Sequence, residues 1–491
     1  MPKFQITYYK TFNIFFIVGL IFLLLNLNSS YFFIDKLQVT IIYILNLLPF
    51  FYYLKSHDNE KILPLFHMAL IFIFLSYTLT FFIRDLEFET LYIPGQTSIM
   101  MEQKIPLLRH TRNILLIGLL FLNLGYFFSF LFFKKRRKGF DFMDFKGEGF
   151  IIFTGFLIFT LFILCFLILK LDNLIPGFSQ LKYPMIYSSA ILIFLGILNK
   201  KNNIFVNFLY ILPIIFIFYY HISNGIYGFP FKLITILFVL FIFIKKRVPI
   251  YFLTLSVIFF LILHSLKYDI RFINKFQGPQ FDRKVLLMDK IKYRFSNKEN
   301  KIDSLTNNPI QAGWEIKRTV QRLAHGYHSL LIINVNHKPI QKNKEPAKHL
   351  NGYTYKLLLT KLIPRIFWEN KPIDNLANSM GKYYNYITPN DFKTSWNFPV
   401  LNESYSNFGF KGVIIVMFLV GAIFRYLSFN FFISKKNNFE FIIAFSLVLP
   451  LWFLESHLSL LIGAIIQQYL LLFLGFYLYL RVLKLFNYNS K

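Results

Sequence analysis

The chain has 491 residues, of which 56% are hydrophobic, and its mean hydropathy is +0.50. Soluble domains of this size rarely average so apolar, which excludes an ordinary soluble protein and indicates a polytopic membrane protein. The net charge of +29 does not indicate a nucleic-acid partner, because membrane topology and one long loop account for it. The single cysteine, Cys165, lies in an apolar run, which excludes a disulfide and a cysteine-based metal site.

Twelve apolar segments are predicted to cross the membrane as helices, nine before a long polar stretch and three after it. The first segment has no small-residue cleavage site and is followed by further spans, so we predict a helix rather than a signal peptide. The sequence thus predicts an all-α fold with helices in 1–264, an external loop in 265–411 and helices in 412–491. The predicted spans are 12–28, 38–54, 62–83, 113–133, 149–170, 185–198, 204–220, 229–244, 249–264, 412–432, 439–454 and 459–480.

The distribution of positive charge predicts which side of the membrane each loop occupies. With the N-terminus inside, the inner segments carry 20 Lys and Arg residues and the short outer loops carry seven. Positive residues favour the cytoplasmic side, so both termini are predicted to be cytoplasmic and the long loop external.

The long loop is itself basic. Residues 265–410 carry 23 Lys and Arg residues against 11 Asp and Glu residues. Long loops cross the membrane regardless of charge, so topology does not explain this excess. It favours anionic ligands such as pyrophosphate, lipid head groups or acidic glycans, although a Lys-rich proteome would give the same excess. We find no internal repeat, and the asymmetric position of the loop argues against an inverted-repeat transporter.

A helical pattern begins near Ala312 within this loop. Apolar side chains recur every three or four residues, and basic side chains form a stripe on the opposite face. We expect an amphipathic helix on the membrane surface or against the helical bundle. Its basic face either meets head groups or lines a pyrophosphate site, for which arginine offers a planar fork of donors. The apolar stripe is Ile316, Val320, Leu323 and Tyr327, and the basic stripe is Arg318, Arg322 and His325.

Four histidines follow in the loop. His325 and His328 lie three residues apart, but a metal site needs a third ligand that the sequence does not offer, so no metal is predicted. Either of the two is a candidate catalytic base, because histidine titrates near neutral pH. His337 and His349 lie in a polar stretch and are predicted to be loop residues.

A second helical run covers Thr354–Ile363 and is predicted to end at Pro364, which cannot donate to the helix ladder. Arg365 follows at this corner and is a candidate substrate-binding residue. Trp368 and Lys371 come next. An aromatic residue beside basic ones fits the membrane interface, and it equally fits stacking against a sugar.

Glu403 lies where the chain is predicted to return to the membrane, shortly before Gly409 and Gly412. The two glycines permit a tight turn or close packing. A carboxylate at that depth is costly unless it is paired or takes part in chemistry. Glu403 is therefore a candidate general base, a partner of an arginine, or half of a structural ion pair.

Two shorter outer segments hold further polar side chains. The predicted outer loop 84–112 contains Arg109, His110 and Arg112, which could join the same external pocket, although snorkelling at helix ends explains the arginines equally well. Glu455 and His457 form a short turn between the last two spans. They are either a proton-handling pair or simply polar turn residues.

Three elements of the loop resemble the bacterial Wzy-type polymerases, which join lipid-linked oligosaccharide repeats. They are Gly352–Tyr355, Ile363–Pro372 and Glu403–Gly412, which match in order the Gly-Tyr-Thr-Tyr-like, Ile-Pro-Arg-x-x-Trp-x-x-Lys-Pro-like and Glu-x-Tyr-x-Asn-Phe-Gly-x-x-Gly-like elements of that family. Arg322 occupies the place of an arginine that is typical near the start of such loops. The resemblance covers about 322–412, and it extends to the remainder of the chain only through topology.

The resemblance implies a metal-independent glycosyltransferase with a C-type-glycosyltransferase-like membrane fold and no cofactor. Pyrophosphate leaves with negative charge, so such a reaction needs cations for the leaving group and a base for the acceptor hydroxyl. The implied bases are Glu403, His325 or His328. The implied substrate-binding residues are Arg365, Arg322, Arg318, Lys371, Tyr405 and Tyr353.

The implied substrate is an oligosaccharide on undecaprenyl pyrophosphate, in the inner membrane of a bacterium, with a flippase and a chain-length regulator as possible partners. Two other functions stay open. An O-antigen ligase would use the same donor with a lipid A-core acceptor, and ligases resemble polymerases in topology. A lipid-linked oligosaccharide flippase would need no catalytic residues, and the large asymmetric loop argues against it.

Overall fold

The computed structural model is mostly helical: 85% of the part it describes is helix and none of that part forms a strand. The predicted spans 12–28 and 249–264, and most of 439–454 and 459–480, lie outside this part. The described residues are 33–55, 65–78, 81, 101–129, 132, 148–174, 178–199, 204–223, 228–245, 324–338, 345–361, 368, 375–392, 394–396, 398–427, 454–463 and 465.

The helices follow the long apolar runs of the sequence. Short π-helical turns, Phe74–Thr78 and Ile163–Ile168, extend the second and fourth helices. In chain order the helices are α1 (Phe33–Lys55), α2 (Leu65–Ile73), α3 (Met101–Phe128), α4 (Glu148–Phe162), α5 (Leu171–Leu174), α6 (Lys182–Asn199), α7 (Ile204–Ser223), α8 (Gly228–Lys245), α9 (His325–His337), α10 (Tyr353–Lys361), α11 (Leu376–Tyr383) and α12 (Val400–Leu427).

Three of these helices are long and apolar enough to cross a membrane, over Ile105–Phe128, Phe205–Ile222 and Val400–Leu427. On α12, large apolar side chains face outward at Ile415 and Leu419, while Val413 and Met417 are buried on the other side. A helix that is apolar on both its packed and its exposed face fits a lipid environment better than water. The three helices indicate a membrane protein, and the twelve-span arrangement remains a prediction.

Helices α3 and α12 approach each other closely through glycine. A side chain at Gly125 would overlap the carbonyl oxygen of Phe418, and one at Gly421 would overlap the carbonyl oxygen of Leu122. Each helix therefore presents a glycine to the backbone of the other. Small residues of this kind let membrane helices pack backbone to backbone.

A buried ion cluster joins α1 to α3. The Asp35 carboxylate accepts hydrogen bonds from Arg112 at 3.0 Å and from Arg109 at 3.2 Å, and both Asp35 and Arg112 are buried. The sequence pattern placed the two arginines in an outer loop, whereas α3 begins at Met101 and carries both. The one carboxylate is shared by two guanidinium groups, so the charge of Asp35 is paired inside the helix pair, where an unpaired charge would be costly.

The long helix α12 is kinked at Phe408 and Gly409, whose φ is +60°. This positive φ fits the predicted tight turn, and it favours a residue without a Cβ. A side chain at Gly412 would overlap the carbonyl oxygen of Ser404 across the kink. Helix α12 starts at Val400, twelve residues before the predicted span, so it crosses the predicted boundary between the loop and the last three spans.

Helix α9 belongs to the bundle rather than to a membrane surface. It packs against α3, α12 and the π-helical turn after α2. Residues 329–336 are buried on every face, and Tyr327 is fully buried. The sequence left two placements open for the loop helix, on the membrane surface or against the helical bundle, and the described part of the helix packs against the bundle. The stripe residues before 324 lie outside the described residues.

Candidate functional site

An extended segment of the long loop is clamped between α9, α11 and α12. We call residues 345–351 the docking segment. Its Ala347 N–H donates to the Asn336 carbonyl at 2.8 Å, and the Tyr383 hydroxyl donates to the Lys348 carbonyl at 2.8 Å. Main-chain bonds from two sides therefore fix the position of this segment.

The third side of the clamp is the kink of α12. The Leu350 N–H donates to the Ser406 carbonyl at 3.0 Å, and the Asn351 N–H donates to the Asn407 carbonyl at 3.1 Å. In an unbroken helix these carbonyls would accept from residues four positions later. The non-helical conformation at Phe408 and Gly409 interrupts that ladder, so the two carbonyls serve the docking segment instead.

Side chains extend the same junction into α10. The Asn407 amide donates to the Thr354 hydroxyl at 2.8 Å, and both residues are buried. Gly352 has a φ of +83°, and a side chain there would touch the Phe408 ring at 3.0 Å. Elements Gly352–Tyr355 and Glu403–Gly412, which lie about 50 residues apart in the chain, therefore form one structural unit.

Glu403 lies on a buried face of α12 and is fully enclosed. One of its carboxylate oxygens accepts a hydrogen bond of 2.7 Å from the Leu458 N–H, at the start of helical residues 458–463. A carboxylate at a helix N-terminus is stabilised by the exposed N–H groups and the helix dipole. Burial, followed by the nearby Glu403, raises the pKa of Tyr355.

Tyr405 faces the opposite side of α12, because two residues of a helix differ by about 200°. The Asn334 amide donates to the Thr111 hydroxyl at 2.9 Å, so its oxygen is the acceptor for the Tyr405 hydroxyl at 3.4 Å. His110 then donates from Nε2 to the Tyr405 oxygen at 3.2 Å, and Lys338 donates to His110 Nδ1 at 3.4 Å. One directional chain of hydrogen bonds thus runs from an exposed lysine into the bundle.

Two further histidines pack against Tyr405. His337 and His349 stack with ring centroids 4.4 Å apart, and both meet the Tyr405 ring edge to face. His337 donates from Nδ1 to the Ala347 carbonyl at 2.7 Å. Its Nε2 therefore accepts from the Tyr384 hydroxyl at 3.0 Å. Burial raises the pKa of Tyr384, which keeps that hydroxyl protonated.

The His337 ring is held neutral, and this predicts a pH dependence of stability. Burial lowers its pKa from 6.5 to about 4, against the opposing effect of the Ala347 hydrogen bond. The unfolded chain takes up the proton first as pH falls, so folding free energy is lost between about pH 6.5 and pH 4. We expect the melting temperature of the purified protein to fall over this range. Substituting His337→Asn, which retains a donor for Ala347, is expected to flatten that fall, and an unchanged slope would contradict the assignment.

The remaining sequence-predicted residues lie apart or outside the described residues. His325 is hydrogen-bonded to Ser329, and His328 meets the Tyr386 ring. They lie at the start of α9, about 18 Å (His325) and about 14 Å (His328) along the helix from His337. Tyr353 is exposed at the start of α10. The cationic candidates lie outside the described residues, and they are Arg318, Arg322, Arg365 and Lys371.

Sequence reasoning connected His110 with an external pocket only through its place in the predicted outer loop 84–112, and it assigned His337 and His349 to a loop with no role in the site. His337 is the last residue of α9, so the prediction that it is a loop residue is wrong, whereas His349 lies in the extended docking segment. His110 and Tyr405 are 295 positions apart, and neither His337 nor His349 belongs to a periodic pattern. No sequence signal marks them beyond their residue type. Nothing in the described ranges groups three His, Cys, Asp or Glu side chains in an arrangement that could hold a metal ion.

The surface around the docking segment is aromatic and cationic. Phe408 is 45% exposed and stacks on Tyr355 with centroids 6.2 Å apart, and Tyr353 is 52% exposed. The elements that meet here also carry four exposed lysines, Lys338, Lys348, Lys356 and Lys411. Flat rings beside positive charges suit a ligand that combines apolar faces with negative charge, as an acidic or phosphorylated sugar does.

Comparisons with protein-family models, with curated proteins and with solved structures give no match.

Proposed function

We propose that this protein is a membrane glycosyltransferase that polymerises oligosaccharide repeats linked to undecaprenyl pyrophosphate. The growing glycan passes from its lipid pyrophosphate to a hydroxyl of a new lipid-linked repeat. The protein acts in the bacterial inner membrane, with both termini cytoplasmic and the docking segment outside.

One observation carries this proposal. The elements Gly352–Tyr355 and Glu403–Gly412 resemble the polymerase family separately in sequence, and they meet in the fold through the Asn407 to Thr354 hydrogen bond and the stacking of Tyr355 on Phe408. The two residues just before the first element, Leu350 and Asn351, add main-chain hydrogen bonds to Ser406 and Asn407. If the two matches to the family were accidental, the two segments would not be expected to contact each other in the fold. Their junction lies at the polar end of a helix that is long and apolar enough to span a membrane.

The chemistry of the surroundings supports the same reaction. Loss of pyrophosphate leaves negative charge on the departing group, and nearby cations stabilise that charge in the transition state. Exposed Lys348 belongs to the docking segment and exposed Lys338 is hydrogen-bonded to His110. The further cations that the resemblance implies are Arg365, Arg322, Arg318 and Lys371. The rings of Phe408 and Tyr353 are exposed and offer flat surfaces on which sugars can stack.

The test is deletion of the gene in the source bacterium, followed by gel analysis of its surface glycan. A polymerase deletion is expected to leave core carrying a single repeat, and the wild-type gene is expected to restore the ladder. Bare core would identify a ligase, and complete loss of surface glycan would identify a flippase. Either of those results would reject the proposal.

A further inference from the structure

His349 in the docking segment has a fixed tautomer. Its Nδ1 lies 3.3 Å from the Ser406 carbonyl oxygen at the kink of α12. A carbonyl oxygen only accepts hydrogen bonds, so Nδ1 carries the proton and donates it. In the neutral ring Nε2 then carries the lone pair, which is the arrangement a histidine needs to accept a proton.

The edge of the His349 ring that carries Nε2 is open. A Cβ at Gly409 would lie 3.3 Å from Nε2 and 3.4 Å from Cε1, so the glycine leaves this edge uncovered. His349 is exposed, whereas His337 covers one face of its ring. The positive φ of Gly409 therefore serves two purposes, because it makes the kink that exposes the Ser406 carbonyl and it clears space beside Nε2.

The other candidate bases at this site are already engaged. Both nitrogens of His110 take part in hydrogen bonds, to Tyr405 and Lys338, and both nitrogens of His337 take part in bonds to Tyr384 and Ala347. Glu403 is fully buried, and its carboxylate holds the Leu458 N–H. Of the three histidines around Tyr405, His349 is the one that presents a ring nitrogen to an exposed surface.

We propose that His349 is the general base of the glycosyl transfer, an inference that rests on the proposed function. Nε2 takes the proton of the acceptor hydroxyl while that oxygen forms a bond to the anomeric carbon of the donor glycan. The bond from this carbon to the lipid pyrophosphate breaks, and the pyrophosphate leaves with the bonding electron pair. The imidazolium later returns the proton to water.

The neighbourhood of His349 also indicates the acceptor that it serves. Lys348 precedes it and is exposed, and the exposed Phe408 ring lies beside Gly352, which follows the docking segment in the chain. The acceptor is therefore a sugar whose apolar face stacks on an aromatic ring and which carries a negative charge nearby. An acidic sugar or the pyrophosphate of the incoming repeat supplies that charge.

The decisive variant is His349→Asn, whose side-chain amide retains a donor for the Ser406 carbonyl but cannot accept the proton. The assay is the rate of polymer formation by full-length protein in liposomes, with lipid-linked repeat as both donor and acceptor. We expect His349→Asn and His349→Ala to lose activity about 100-fold or more, while the protein remains folded. Glu345→Gln removes an ionisable group from the same segment and is expected to retain wild-type activity.

A pH profile distinguishes a catalytic role of His349 from a purely structural role, in which it only holds the docking segment to Ser406. The wild-type rate is expected to fall on acidification, and the residual rate of His349→Asn is expected to lack that fall. The groups that contact His349 are His337 on α9 and Tyr405 on α12, and the charged residue next to it in its own segment is Lys348. Full activity in His349→Asn would overturn this inference, and so would a pH profile of His349→Asn that still falls on acidification. In either case, polymer formation by the wild type would still support the proposed function. No polymer from the folded wild type would instead reject the function itself.

Discussion

Glu403→Ala is expected to abolish polymer formation and to lower the free energy of unfolding by about 3 kcal/mol. Glu403→Gln is expected to form polymer and to be as stable as the wild type. The carboxylate is fully buried and accepts the Leu458 N–H at 2.7 Å. Alanine leaves that donor without its acceptor and leaves a cavity between α12 and residues 458–463. The glutamine amide oxygen can accept the same bond, so it preserves the anchor.

The two variants are compared by thermal stability in detergent and by polymer formation in liposomes. The result distinguishes the roles that the sequence left open for Glu403. If the glutamine variant is as stable as the wild type yet yields only single repeats, the negative charge itself takes part in the chemistry and the anchoring role is wrong. Full polymer from the glutamine variant places the base elsewhere, in agreement with the assignment of His349.

Gly421→Val and Gly125→Val are expected to prevent α3 and α12 from packing, and each is expected to remove about 3 kcal/mol or more of stability. A side chain at Gly421 would overlap the Leu122 carbonyl, and one at Gly125 would overlap the Phe418 carbonyl. These neighbours are backbone atoms, so no change of rotamer relieves the clash. Since Tyr405 on α12 meets His110 on α3, separation of the helices also dismantles the site.

Size-exclusion profiles and melting temperatures of detergent-purified protein measure this effect. The matched control is Leu419→Ala, which removes an outward-facing side chain of the same helix that is 52% exposed. This control is expected to melt within a few degrees of the wild type. A valine at Gly421 that melts like the control would show that the two helices do not approach through their glycines.

Helices made of apolar runs could be predicted from sequence, because both the run and its polar boundaries are local signals. The predicted spans 204–220 and 229–244 match α7 (Ile204–Ser223) and α8 (Gly228–Lys245) within three residues. The starts of α3 and α12 could not be predicted in this way. Residues 400–407 look like a polar loop, yet they are helical and buried because distant partners satisfy them, as Tyr77 and Gly326 do for Asn402.

The site likewise contains residues that a local sequence signal identifies and residues that only the fold brings together. Glu403, Tyr405 and Gly409 are adjacent in sequence, and a linear motif was enough to select them. The histidines around Tyr405 come from α3, α9 and the docking segment, and only folding brings them together. The orientation of Glu403 away from Tyr405 also follows from the helix rather than from the motif, which lists both residues without assigning them a side.

The docking segment is attached to its neighbours through its own main-chain atoms: Leu350 and Asn351 donate to α12, and the Ala347 and Lys348 carbonyls accept from α9 and α11. Because these hydrogen bonds use main-chain atoms of the segment, they do not depend on the identity of most of its side chains. Under the proposed function, substitutions at its exposed positions are therefore expected to alter the preferred sugar without loosening the scaffold, while Gly352 and Gly409 are constrained by their positive φ. Under the same proposal, a lineage of proteins with this segment is expected to diversify its glycans quickly and, in the same process, to erase the sequence similarity among its members.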